Sequence, residues 1–307
     1  MRVLFFGTPE FAVPSLAALV GEGFDVVGVV TRPDKPAGRH HSTSQPSPVK
    51  HAAIAEDLRV LQPADPAAAE FLDEAVALKP DVAAVVAYGH ILKPKLLAVP
   101  RLGPVNVHAS LLPRLRGAAP IERAILEGFT ETGVTIMRMD AGMDTGPILH
   151  QVPTPIPPDE TAGELRMRLA EIGALGLVEA LTLMEESAIV PQPQNEAEAT
   201  YAPKLTREEE RLDWSDPAEA VARKIRAFDP KPGAWTECRG RALKLFGARA
   251  TGERGEPGRI LAAGDVLTVA ATGGAVQVSE VQPAGRQRMS VQAFVSGRGV
   301  APGDVLA

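Results

Sequence analysis

The chain has 307 residues, 45% of them hydrophobic and 23% charged, with a formal net charge of −6. That composition excludes a mainly disordered chain, a disulfide scaffold and a fibre, and at ~150 residues per domain it predicts about two domains. The single cysteine, Cys238, has no partner within the chain, and the longest early apolar run, Val3–Phe6, is too short for a signal peptide or a membrane span, so a cytoplasmic protein off the membrane is expected.

Short β-branched runs alternate with helical patterns from the start. Arg2–Phe6, Val26–Thr31, Arg59–Gln62, Val82–Tyr88, Val105–His108 and Val134–Met139 read as strands. Phe11–Gly21, Pro48–Asp57, Pro66–Leu78 and Ala119–Glu127 have helical spacing between them, and Thr161–Met184 is one long helical pattern. Apolar runs such as Val82–Val86 suit strands buried on both faces, so the front of the chain is expected to be α/β: a doubly wound, mostly parallel sheet whose ligands bind beyond the carboxyl ends of its strands. Pro191–Ala199 reads as a linker. Beyond it come a helix over Pro217–Phe228 and short strands at Ala242–Phe246, Arg259–Leu261, Val266–Ala270 and Ala275–Val281, the spacing of a small β-barrel or sandwich. The boundaries expected are 1–190, a linker 191–208 and a tail domain 209–307. Charge divides similarly: residues 1–217 carry 19 Lys+Arg against 30 Asp+Glu, and residues 218–307 carry 13 against 8. A basic tail fits either a polyanionic partner or a solvated face.

Chemistry concentrates in a few segments. The first turn, Gly7-Thr8-Pro9, lacks the second glycine of a dinucleotide fingerprint, which disfavours a nicotinamide enzyme. Asn106 and His108 alternate onto one strand face, where an amide donor and an imidazole suit a developing oxyanion; a hydrogen-bonded tie between strand and loop fits equally. The apolar loop Ser110-Leu111-Leu112-Pro113 either packs inward or lines a pocket for a flat heterocycle. Arg114 and Arg116 grip carboxylates or phosphates, or are simply solvated. In Asp140-Ala141-Gly142-Met143-Asp144, Asp140 reads as a turn cap, and Asp144 either caps a turn or serves His108. The histidines have no metal-site spacing, and no nucleophile elbow or phosphate-binding glycine loop occurs. The patternless stretch Thr31–Pro46, with Arg32, Lys35 and Arg39, fits either a phosphate contact or a plain surface loop.

Taken together, Asn106-Val107-His108, Ser110–Pro113 with Arg116–Pro120, and Asp140–Gly146 resemble the signature of the formyltetrahydrofolate-dependent formyltransferases. Phe6–Ala12, Arg32-Pro33-Asp34, Pro46–Lys50, Val85–Gly89, Thr200-Tyr201-Ala202, Asp213-Trp214-Ser215, Ile225–Phe228, Pro232–Trp235 and Gln282–Gly285 extend the likeness nearly end to end, toward the branch acting on methionyl-tRNA. The resemblance implies a Rossmann-like catalytic domain and an OB-like tail that binds tRNA. It implies Asn106, His108 and Asp144 as the catalytic set, with 10-formyltetrahydrofolate as formyl donor and no metal. Folate would lie along Ser110, Leu111, Leu112 and Pro113, with the pterin read by backbone groups near Tyr88, Gly89 and Asp140. Initiator methionyl-tRNA would meet Arg32, Lys35 and Arg39, and the protein would act as a monomer. Where relatives carry lysines after Gly38-Arg39, this chain has His40-His41. A sugar-nucleotide formyltransferase shares the folate signature, and a non-catalytic folate or tRNA binder would not need the Asn106–His108–Asp144 set.

Overall fold

The computed structural model describes residues 1–37 and 43–307. Two compact units arise: Met1–Gly117 with Thr132–Thr154 and Arg166–Tyr201, and Ala118–Glu131 with Pro155–Leu165 and Ala202–Ala307. The second unit thus recruits two segments from within residues 1–190, whereas the linear reading 1–190, 191–208 and 209–307 follows sequence order alone.

The first unit is built on a seven-stranded sheet in the order β10-β9-β7-β6-β1-β2-β5. Its strands are β1 (Arg2–Gly7), β2 (Asp25–Val30), β5 (Val60–Leu61), β6 (Val82–Val86), β7 (Pro104–His108), β9 (Glu131–Arg138) and β10 (Ile148–Pro155). β1 pairs in parallel with β2 and β6, β2 with β5, and β6 with β7, while β9 runs antiparallel to β7. The expected mostly parallel, Rossmann-like sheet is present, with helices α1 (Val13–Gly21), α2 (Pro48–Ala55), α3 (Ala69–Ala77) and the single turn α4 (Pro94–Leu97) between its strands. β6, buried throughout, and β1, buried beyond Arg2, occupy its middle. The expected strand Val82–Tyr88 stops at Val86, because Ala87 turns into the left-handed region at φ +47°. β10 escapes sequence reading because Pro153 and Pro155 interrupt its pattern. Short β3 (Lys35–Ala37) pairs with β4 (Thr43–Gln45). β8 (Arg116–Gly117) and β11 (Tyr201–Ala202) are two residues each.

A long helix, α6 (Ala162–Glu185), fixes the orientation of β7. A Cβ built on its Gly173 would lie 2.9 Å from Cγ1 of Val107, so glycine lets the helix reach that face of the strand. Val107 therefore takes the helix side, and its neighbours Asn106 and His108 take the other.

In the second unit α5 (Pro120–Leu126) and α7 (Ala218–Ala227) accompany an antiparallel sheet ordered β12-β13-β16-β15-β14, with β17 paired to β16. These strands are β12 (Trp235–Cys238), β13 (Arg241–Thr251), β14 (Ile260–Ala263), β15 (Leu267–Ala271), β16 (Gly274–Pro283) and β17 (Met289–Ser290), and α8 (Val291–Ser296) follows. α7 buries Ala218, Val221, Ala222 and Ile225 at helical spacing. This antiparallel sheet answers the small β-barrel or sandwich expected from the closely spaced strands, and the OB-like tail that the resemblance implies.

Candidate active site

β7 delivers Asn106 and His108 to one face of the sheet. The amide of Asn106 is half-buried and no described residue engages it. His108 is 5% exposed, and its Nε2 lies 3.0 Å from the carbonyl oxygen of Leu115. A carbonyl only accepts, so this nitrogen carries a proton and donates it. Nδ1 then faces Oδ2 of Asp144 at 3.7 Å, too long for a direct hydrogen bond and within ion-pair distance of a protonated ring.

Asp144 reaches His108 by a detour. Antiparallel β9 exits beside the amino end of β7, where the Met139 N–H donates to the Pro104 carbonyl, so the loop that follows must run back across the face. Its return brings Gly146 onto β9, where a Cβ would sit 1.9 Å from the Arg138 oxygen; only glycine fits. Asp144 itself is left-handed at φ +55°, and its Oδ2 accepts the Gly117 N–H at 2.8 Å. Leu115, at φ +59°, is turned so that its carbonyl meets the imidazole, a conformation costing about 1–2 kcal/mol for a side chain of this size. Three consecutive residues, Leu115 to Gly117, thus touch both the ring and the carboxylate.

Arg116, between them, is fully buried. Its Nη1 and Nη2 donate to Oε2 and Oε1 of Glu196 at 2.9 and 2.7 Å, and its Nε and Nη2 donate to Oε1 of Gln194 at 3.1 and 2.8 Å. The hydrogen bonds from Arg116 hold the Glu196 carboxyl below the usual glutamate range, and the same contacts raise the guanidinium. Of the two readings for Arg116, the carboxylate grip is the one realised; Arg114 is exposed. Gln194, Glu196 and Thr200, whose Oγ1 accepts the Leu115 N–H at 2.9 Å, come from the stretch read as linker. Sequence inspection misses Gln194 and Glu196 and reaches Thr200 only as part of the family signature: residues about 80 positions from their partners leave no local periodicity.

The remaining expected site residues fall into three groups. Ser110 and Leu112 are buried: the Ser110 hydroxyl donates to the Arg114 carbonyl at 2.6 Å, and the Leu112 backbone meets Thr135 and Gln151. Leu111 and Pro113 are half-buried. Asp140 accepts from the Gly142 N–H and the Thr145 hydroxyl through Oδ1, which is the turn cap expected of it. The Tyr88 ring lies in the core beside Phe6, its hydroxyl buried without a partner among the described residues, while its carbonyl accepts from Thr8 at 2.9 Å and Gly89 follows at φ +83°. Burial pushes the Tyr88 phenol up to about 12. The Arg32 side chain lies against Gly89, and its carbonyl accepts from Gln62. Lys35 belongs to β3. Arg39, with His40 and His41, lies outside the described residues.

Comparison with known proteins adds a second line. The formyl transferase family matches residues 1–181, and its C-terminal domain matches residues 204–299. Methionyl-tRNA formyltransferase of Moorella thermoacetica is 46% identical over 309 residues, covering 100% of this chain and 99% of that protein. Among solved structures, HypX from Aquifex aeolicus in complex with tetrahydrofolic acid aligns at TM-score 0.67 and 21% identity over 97% of this chain. The chain spans 47% of that longer protein. An N-formyltransferase from Helicobacter canadensis, in complex with folinic acid and dTDP-3-aminofucose, aligns at TM-score 0.71 and 20% identity over 92% of this chain and 99% of its own. At such identities the two structures share the fold alone.

Proposed function

The chain belongs to the formyl transferase family, and on that premise we propose that it moves the formyl group of 10-formyltetrahydrofolate onto the amino group of methionine carried by initiator tRNA. One observation carries the reading: an unengaged amide (Asn106) and an imidazole (His108) share a strand face, with the Asp144 carboxylate 3.7 Å from the ring nitrogen. The loops assigned to the pterin suit a flat donor that is apolar on its faces, since Ile91 after β6 and Met143 after β9 are large apolar side chains 90% and 64% exposed.

The residues divide the chemistry as follows. As the amine nitrogen bonds to the formyl carbon, the carbonyl oxygen takes an electron pair. The Asn106 amide and the Nδ1–H of cationic His108 donate to that oxygen, where charge develops during acyl transfer. Leu115 holds the far side of the ring, so Nδ1 is the nitrogen left to face the reacting group. Asp144 balances the imidazolium and, through water, takes the proton the amine loses and passes it to N10 as the carbon–N10 bond breaks. One proton leaves one nitrogen and arrives at the other, so the sum is neutral.

Full-length 46% identity to a methionyl-tRNA formyltransferase favours tRNA over an amino sugar as acceptor, since the sugar enzyme shares only the fold. The basic tail, 13 Lys+Arg against 8 Asp+Glu, gives a phosphate backbone something to bind, and Arg32, Lys35 and Arg39 are assigned to its acceptor end. Functionally, the unit that holds Asn106, His108 and Asp144 together with Arg166–Tyr201 is the catalytic domain, and the unit that holds Ala202–Ala307 the tRNA-binding domain, of a cytoplasmic monomer. The test offers the purified protein 10-formyltetrahydrofolate with methionyl-initiator tRNA, uncharged tRNA, or a dTDP-amino sugar in parallel. Formylmethionyl-tRNA should form in the first reaction alone; formylation of the sugar and not of the charged tRNA overturns the assignment.

A further inference from the structure

The catalytic carboxylate is held by a clamp outside the catalytic set. Nε2 of Gln194 donates both its hydrogens to the Asp144 loop, one to the Asp144 carbonyl at 2.8 Å and one to the Gly146 carbonyl at 2.7 Å. Its Oε1 accepts twice from Arg116, which has donors only, so the amide has a single satisfying orientation. Arg116 is itself fixed by the two-pronged bond to Glu196. The guanidinium is fully buried, and a buried charge in a planar fork is committed to these partners. The backbone on either side of it carries the Leu115 carbonyl at His108 Nε2 and the Gly117 N–H at Asp144 Oδ2.

We propose that Gln194 and Arg116 are positioning residues for formyl transfer: Gln194 sets the height of the Asp144 loop, and Arg116 ties that loop to the segment anchoring His108, so that carboxylate and ring are held at a fixed separation. The inference rests on the formyl-transfer reading and extends it to residues that touch no reacting atom. The physical ground is the loop's composition. Asp144 lies in a left-handed conformation in a run containing Gly142 and Gly146, which has many alternative conformations open to it. Two hydrogen bonds from one amide remove those alternatives, and a displacement of ~1 Å at a catalytic group costs on the order of 100-fold in rate.

Gln194→Glu is the informative substitution. It preserves size and keeps an acceptor for Arg116, but it removes both donors and sets a carboxylate oxygen against two carbonyls. In full-length protein, kcat for formylmethionyl-tRNA synthesis should fall about 10- to 100-fold, with KM for 10-formyltetrahydrofolate and for methionyl-tRNA held within ~2-fold. In an Asp144→Ala background the same substitution should cost less than ~3-fold, because the group it positions is gone. Arg116→Lys, which keeps the charge and loses the fork, should show the same dependence on Asp144 and serves if Gln194→Glu fails to fold by circular dichroism. An equal loss with and without Asp144, or a raised KM at unchanged kcat, overturns the clamp. Wild-type protein runs alongside: its inactivity on methionyl-tRNA overturns the underlying reading and the clamp with it, whereas active wild type with an indifferent Gln194→Glu overturns the clamp alone.

Discussion

Tyr88 shows how a residue can belong to a site through its backbone while its side chain serves the core. Its ring meets Phe6 edge-on at 5.3 Å, and its hydroxyl is buried with no partner among the described residues, an arrangement that costs about 1–3 kcal/mol. Tyr88→Phe removes that cost, so the melting temperature should rise by roughly 2–4 °C with KM for the folate donor unchanged. The alkaline behaviour follows with a definite sign. Burial raises the phenol from 10.0 to about 12, so an unfolded tyrosine ionises while the folded one resists. This contribution is intact below pH 10 and is lost as pH rises toward about 12, and thermal melts across that window should show the decline weakened in Tyr88→Phe. A lower melting temperature, or a raised KM, would give the hydroxyl a partner it lacks here.

Among the elements, β7 and the Leu115–Gly117 segment matter most. The strand aims Asn106 and His108 because Val107 is claimed by α6, and the segment then holds ring and carboxylate from the far side. The segment is held by hydrogen bonds to Thr200 and Gln194 and by the Arg116–Glu196 ion pair. The Glu196 carboxyl is depressed by the hydrogen bonds from Arg116, so its stabilisation is fully present above the ordinary glutamate value of ~4.3 and is lost as pH falls through the lowered value. Glu196→Gln should therefore melt slightly below wild type at neutral pH, the effect kept small by solvent screening of a carboxylate that is 69% exposed, and the gap between the two should close at acid pH. Melting curves taken across pH 3–8 decide it, and a gap that stays constant with pH would show that the charge on Glu196 does not matter.

For the whole molecule, what sequence reading reached follows from how local each signal is. The parallel strands were legible because burial on both faces writes uninterrupted apolar runs such as Val82–Val86, and Asn106 and His108 were legible as a same-face pair from alternation alone. Signatures spread from Phe6–Ala12 to Gln282–Gly285 carry the family resemblance in the sequence itself. The path of the Asp144 loop was not legible, because it depends on β9 running antiparallel. Nor was the buried Arg116, since its partners Gln194 and Glu196 sit in a polar, proline-flanked stretch that reads as linker. The recruitment of 118–131 and 155–165 into the second unit is likewise a matter of packing that chain order conceals.

The central claim is that His108 stabilises the charge born when the amine meets the formyl carbon, and single-turnover formylation by His108→Ala tests it most directly. With saturating 10-formyltetrahydrofolate and methionyl-initiator tRNA, the rate of the chemical step should fall by ~10²- to 10⁴-fold while the folded variant keeps its affinity for the folate. A folded His108→Ala that turns over at the wild-type rate would contradict the account.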